Sequence, residues 1–252
     1  MTGWEQLAVL AAGLGAGVLT STVGVASLLS FPVLVAVGLP PVVANVSNTI
    51  GMTPAGISGS FGYRAELREH PVVTLIVLGT GMVGSVLGAV LLLGLPPDVF
   101  EAVVPYLILF TCLLVGAQPT TTRMLRRGKE PRAPRHHLTP VTTFFAGLVG
   151  VYGGYFGAGS GVMMVAVLGF GTDLELRIVN GLKTLAILAG NVVAALIFVV
   201  VAEVDWAAAG LLAAGSVVGG YVGARVGRRI PPTLFRVLIV IAGVTAAVTM
   251  LA

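Results

Sequence analysis

Between Glu5 and Arg64 the chain carries no charged side chain over 58 residues. As continuous helix, at about 1.5 Å per residue, that run would measure about 87 Å, while a hydrocarbon core is about 30 Å thick. It must therefore fold back more than once. Further charge-free runs cover 70–97, 102–122, 138–172, 184–202 and 206–224. None alternates polar and apolar residues as the strands of a membrane barrel do. Only 10% of the residues are charged, against about 25% in soluble domains. The expectation is an all-α, multi-pass protein whose first partner is the lipid bilayer. Met1–Gln6 holds no basic residue, so no cleavable signal peptide is expected. Cys112 is the single cysteine and reads as a packing residue in an apolar helix.

The breakers divide the chain. Residues 7–38 read as two short helices, 7–19 and 25–38, meeting at the polar tip Thr20-Ser21-Thr22-Val23-Gly24. Leu39-Pro40-Pro41 turns the chain, because proline rings block helix continuation. A third helix is expected over 42–63, a short polar loop over Arg64–His70, and further helices over 71–94 and 98–118. Gly81, Gly84 and Gly88 have the small-residue spacing of close helix contacts. Residues 119–139 read as a linker, with Arg123, Arg126, Arg127, Lys129, Arg132 and Arg135 against the single acid Glu130. A solvated cytoplasmic loop accounts for this charge, and nucleic acid is not an expected partner.

After the linker the pattern repeats. Gly13 and Gly147 lie 134 apart; Asn45 and Asn180, Thr49 and Thr184, Gly84 and Gly219, Gly88 and Gly223, Pro96 and Pro231, and Phe100 and Phe235 lie 135 apart. One offset kept from the third helix to the fifth indicates an internal duplication. The units are repeat 1 at 1–118, the linker at 119–139 and repeat 2 at 140–252. If the linker is cytoplasmic, Arg64, Arg68, Arg177, Arg225, Arg228 and Arg229 also fall inside, while Asp98, Glu101, Glu203 and Asp205 fall outside. The two copies would then point in opposite directions. Inverted repeats with discontinuous helices near the midplane are a common build of secondary transporters. The fold expected is thus two inverted repeats of about five helical segments, the leading pair of each broken or re-entrant.

The polar residues at membrane depth are the candidate substrate-binding set. Gly157, Gly159, Ser160 and Gly161 belong to the densest glycine cluster, at 153–161. Its flanks read as membrane helices, whereas a dinucleotide loop needs a preceding strand, and helix packing is its structural alternative. Its functional reading is exposed backbone N–H groups at a helix N-terminus, which attract anions. Ser21, Thr22 and Gly24 form the corresponding tip upstream. Lys183 precedes a long charge-free run and shares helix spacing with Asn180, Thr184 and Asn191. A lysine snorkelling to the interface is the alternative reading. The upstream copy has Asn45, Asn48 and Thr49, with Asn48 where Lys183 would be. A set of donors without a carboxylate suits a small anion. No H-E-x-x-H or paired-carboxylate pattern supports an enzyme, a metal or a cofactor.

The chain resembles the sulfite exporter TauE/SafE family, also called the TSUP family of anion transporters. The resemblance rests on the glycine-rich hairpins at 13–38 and 147–171, on R-x-V-N-G-x-K-T at Arg177–Thr184, and on W-x-x-x-G…G-G-x-x-G-A at Trp206–Ala224. It covers nearly the whole chain. The upstream hairpin departs from the glycine-rich pattern, reading Ser-Thr-Val-Gly-Val-Ala at 21–26. The resemblance implies a secondary transporter in the cytoplasmic (inner) membrane of a prokaryote. Its cargo would be a small anion such as sulfite, thiosulfate or an organosulfonate, commonly moved outward. An anion channel or facilitator, or a carrier of a small carboxylate, is the alternative. A homodimer is compatible with this reading.

Overall fold

The computed structural model describes residues 1–22, 25–127, 137–226 and 232–251. Among them there are eleven helices and no strand. The order is α1 (Gly3–Thr22), α2 (Ser27–Ala36), α3 (Pro41–Gly62), α4 (Arg64–Glu69), α5 (Pro71–Gly94) and α6 (Pro97–Arg127). Then come α7 (Pro140–Tyr155), α8 (Ser160–Gly171), α9 (Leu176–Val201), α10 (Trp206–Val226) and α11 (Pro232–Leu251). Proline at the first helical position starts α3, α5 and α7, where its missing N–H costs nothing. Among the described residues, Pro71–Gly94, Pro97–Thr121 and Leu176–Val201 are long and apolar enough to cross a membrane. Leu75, Leu113 and Val200 are exposed on these helices, as side chains that face lipid must be.

Two expectations need correction. Arg64–Glu69 is a short helix rather than a loop, which brings the helical segments to eleven. The helix expected over 98–118 runs on through Pro119 to Arg127, into the stretch read as linker. Residues 128–136 lie outside the described residues, as do Arg228 and Arg229.

Helices pack mostly across the two halves. α1 lies along α10 and α5 along α7. α3 packs on α10 as α9 packs on α5, and α2 meets α11 as α8 meets α6. Each contact has its counterpart when the halves are exchanged. Glycines permit the closest approaches. The α carbons of Gly84 and Gly88 face the backbone of Gly147, Gly150 and Val151, and a β-carbon on Gly150 would lie 2.8 Å from the Gly81 carbonyl oxygen. On the other side Gly13 and Gly17 face Leu212 and Ser216, and Gly215 and Gly219 face Leu10 and Leu14. In lipid, where apolar burial does not drive helices together, such van der Waals contact and interhelical hydrogen bonds do. The Ser85 hydroxyl donates to the Gly190 carbonyl at 2.7 Å, and the Ser216 hydroxyl to the Gly51 carbonyl at 3.2 Å. Cys112 is buried in the main core beside Ile108 and Ile239, in keeping with a packing role.

Candidate functional site

Helix α7 stops at Tyr155 and α8 begins at Ser160, so four residues break the helical ladder. Gly157 and Gly159 have φ of +81° and +77°, a left-handed backbone that glycine adopts without strain. A break in the helical ladder exposes carbonyls that must find donors. Here they do. Phe156 and Gly157 both donate their N–H to the Tyr152 carbonyl. Asn45 on α3 donates its amide to the Tyr155 carbonyl at 2.9 Å. The Ala158 carbonyl accepts from the Tyr152 hydroxyl at 2.6 Å and from the Thr111 hydroxyl at 3.0 Å. Phe156 anchors the turn, edge-to-face against Phe31 at 5.2 Å. The tip is thereby held from α3, α6 and α7.

A cavity of about 70 Å³ lies between the two hairpins. Hairpin 1 contributes Thr20, Val25, Ala26 and Ser27; hairpin 2 contributes Phe156, Gly157, Gly159 and Ser160. Helix α3 supplies Thr49, Met52 and Gly56, and α9 supplies Lys183, Thr184, Ile187 and Asn191. The last two groups correspond at the 135-residue offset: Thr49 with Thr184, Met52 with Ile187, Gly56 with Asn191. The cavity thus takes equivalent positions from both halves. Short helices α2 and α8 both begin at its wall, so two helix N-termini, each carrying a partial positive charge, bound the same space.

The lining holds no carboxylate, and its donors include Lys183, Asn191 and Ser160. Lys183 is half-buried and, among the described residues, no hydrogen bond or salt bridge engages its ammonium. The cationic head therefore depends on whatever fills the cavity, a costly arrangement for a charge at this depth. The hydroxyls of Thr49 and Thr184 donate to the carbonyls of Asn45 and Asn180, one turn back, at 3.0 and 2.8 Å. They therefore present acceptor lone pairs to the cavity, as does the Thr20 hydroxyl, which donates to the Ala16 carbonyl at 2.9 Å.

Of the residues singled out in the sequence, the cavity brings together Lys183, Thr184, Asn191, Thr49, Gly157, Gly159 and Ser160. Asn180 lies a turn away on α9, and Gly161 is buried in the first turn of α8. Asn45 and Asn48 are fully buried and occupied elsewhere: Asn45 at the α7 end, Asn48 as acceptor of the Ser30 hydroxyl. Ser21 and Thr22 close α1, but their side chains, and Gly24 altogether, lie outside the described residues. Thr20, Ser27, Met52, Gly56 and Ile187 were not anticipated. The internal repeat carried a usable signal for Met52, Gly56 and Ile187, since each sits a turn or two beyond a threonine already selected. Thr20 opens the polar tip read at 20–24 but was not chosen with Ser21, Thr22 and Gly24, and Ser27 carries no pattern of its own.

The family model for the sulfite exporter TauE/SafE matches residues 9–250. The chain belongs to this family. It is an integral membrane protein of a transporter family, in line with its apolar helices. Among curated proteins, a probable membrane transporter protein of Haemophilus influenzae is 26% identical over 95% of this chain and 92% of its own length. A probable membrane transporter protein, ORF9, of Sinorhizobium is 26% identical over 94% of this chain and 88% of its own. The protein YfcA of Escherichia coli K12, also named a probable membrane transporter, is 26% identical over 85% and 76%. No solved structure matches the chain.

Proposed function

We propose that this TauE/SafE-family protein is a secondary transporter that exports a small sulfur-containing oxyanion across the cytoplasmic membrane of a prokaryote. Its site would be the cavity between the two hairpins, reached from either side by alternating access. The observation that carries this reading is the pairing of Lys183, unpartnered among the described residues, with two helix N-termini around a space that no carboxylate lines. Such a wall offsets the desolvation of an anion. The cavity is also small, which suits a compact anion of a few heavy atoms rather than a long organic acid.

The exchange of contacts between halves supports an inverted repeat, because equivalent helices of two copies can trade roles around a central site. Export needs no coupling ion on energetic grounds. At about 100 mV, inside negative, moving one negative charge outward gains about 2.3 kcal/mol, roughly a fifty-fold gradient. The test is transport by purified protein in liposomes, with sulfite, thiosulfate, sulfoacetate, sulfate and small carboxylates compared. Saturable counterflow of a sulfur oxyanion is expected. Preference for a carboxylate would overturn the substrate class, and flux that never saturates would overturn alternating access.

A further inference from the structure

A second, smaller cavity of about 20 Å³ lies directly behind the first. The two share Ser160, Ile187 and Asn191, which stand between them as a partition. The rear cavity is walled by glycines of three helices, among them Gly81, Gly150 and Gly190. Ser160 is 6% exposed, and among the described residues neither its hydroxyl nor the Asn191 amide has a hydrogen-bond partner. Two polar side chains with unused bonding capacity thus line a space whose other walls are glycine and the apolar side chains of Val149, Met164, Ala186 and Ile187.

The other half of the molecule shows what this space becomes when it is filled. Shifting by 134 residues in the hairpins and 135 in α3 and α9, Gly150 corresponds to Ala16, Ser160 to Ala26, Ile187 to Met52 and Gly190 to Ala55. Ala16, Met52 and Ala55 form a buried apolar cluster with Ala26 packed on it. In repeat 1 the region is closed by methyl groups. In repeat 2 the methyls at 150 and 190 are missing, and the third carbon carries an added hydroxyl. At positions 150 and 190 repeat 2 thus lacks two methyl groups that repeat 1 carries, while Ala186 and Asn191 stand where repeat 1 has Gly51 and Gly56.

We infer that the rear cavity is a cell for one water molecule, held by Ser160 and Asn191, that hydrates the anion through the partition. Size and chemistry both fit. One water needs about 10–15 Å³ and two to four polar partners; the cell has room for one and offers two side chains, with the anion as a third. The anion would then enter the site without losing its whole hydration shell, and the water would present it with a donor that the apolar wall of repeat 1 lacks. This inference rests on the anion site proposed above.

Position 190 allows a clean test. A β-carbon there would lie 3.5 Å from the Ser85 side chain and 3.9 Å from the Gly81 oxygen, ordinary contact distances. Gly190→Ala therefore fills the cell without breaking the α5–α9 contact, as Ala55 does in repeat 1. Sulfite and thiosulfate affinities are measured by calorimetry for wild type, Gly190→Ala, Gly190→Ser and Lys183→Gln. Gly190→Ala should weaken binding about three- to tenfold, the loss of one net hydrogen bond. Gly190→Ser brings a hydroxyl into the same space and should stay within about twofold of wild type. Equal losses in both variants would mean that the cell takes an atom of the anion itself, which overturns the water. Silence in both, with Lys183→Gln still weakened, would remove the cell and leave the anion site standing. Silence in all three would remove both.

Discussion

Arg177 grips Glu69 with both terminal nitrogens, Nη1 to Oε1 at 2.8 Å and Nη2 to Oε2 at 3.0 Å. Its Nε bonds Glu175 at 2.8 Å, and Glu66 lies 4.0 Å away. The fork ties α4, a helix of six residues, to the start of α9 from 108 positions away. A helix that short has no stability of its own in water. The exposed pair is screened by salt and contributes little to global stability, yet it is what α4 leans on. Arg177→Ala should speed amide exchange in residues 64–69 several-fold while leaving α9 beyond Lys183 unchanged. Raising salt to about 1 M, where the screening length falls to about 3 Å, should do the same to wild type. Unchanged exchange would mean that apolar contacts alone hold α4.

The glycines of α5 are not equivalent. A β-carbon on Gly88 would strike the Val151 carbonyl and lie 2.7 Å from the Tyr155 nitrogen, whereas one on Gly79 meets nothing within 4 Å. Gly88→Ala should cost about 1–3 kcal/mol as overpacking. Gly79→Ala should stabilise by about 0.5–1 kcal/mol through helix propensity. Thermal midpoints in detergent should move in opposite directions; movement in the same direction would count against the close α5–α7 contact.

That difference marks how far the residues could be read in advance. The small-residue spacing at Gly81, Gly84 and Gly88 is a local pattern, and it named the packing face correctly. Which face Asn45 and Asn48 present is not local. Their depth was legible, but their partners are the Tyr155 carbonyl and the Ser30 hydroxyl, which only the assembled hairpins bring near. Helix α4 was missed for the same reason: Arg64–Glu69 has loop-like composition, and its tether is Arg177. Lys183, Thr184 and Asn191 were readable because they share i+3, i+4 and i+7 spacing along α9 with Asn180 and with one another, and the fold brings them to the cavity.

Gly159 is held in a left-handed conformation, and its α-carbon faces the methyl of Thr111. A side chain there meets both backbone strain and a clash. Gly159→Ala should abolish transport and lower yield; Thr111→Ala on the same chain would relieve the clash but not the strain, and should restore stability only in part. Full transport by Gly159→Ala would show that the tip tolerates rearrangement and does not shape the site.

Topology gives a further test. Arg68 on α4 and Glu101 on α6 are both exposed, and basic residues favour the cytoplasmic side. In a Cys112→Ala background, cysteine at position 101 should react with an impermeant maleimide added to intact cells, and cysteine at 68 only after lysis. The reverse pattern would invert the molecule, and with it the assignment of export.

The deciding residue is Lys183. It sits about 10 Å along α9 from the start of the helix, at about 1.5 Å per residue, and it lines the cavity without a partner among the described residues. If it holds the anion, its charge-assisted hydrogen bond is worth about 1.5–3 kcal/mol. Lys183→Gln should then weaken binding roughly ten- to a hundred-fold while the thermal midpoint stays put or rises, because an uncompensated charge leaves the membrane interior. Lys183→Arg should fail as well, since a planar fork needs more room than the compact ammonium in a cavity of about 70 Å³. A lysine that only snorkels to the interface behaves otherwise: Gln would be nearly silent and Arg fully active. Affinity for sulfite measured on both variants separates the two, and wild-type affinity in Lys183→Gln would take this residue out of the site.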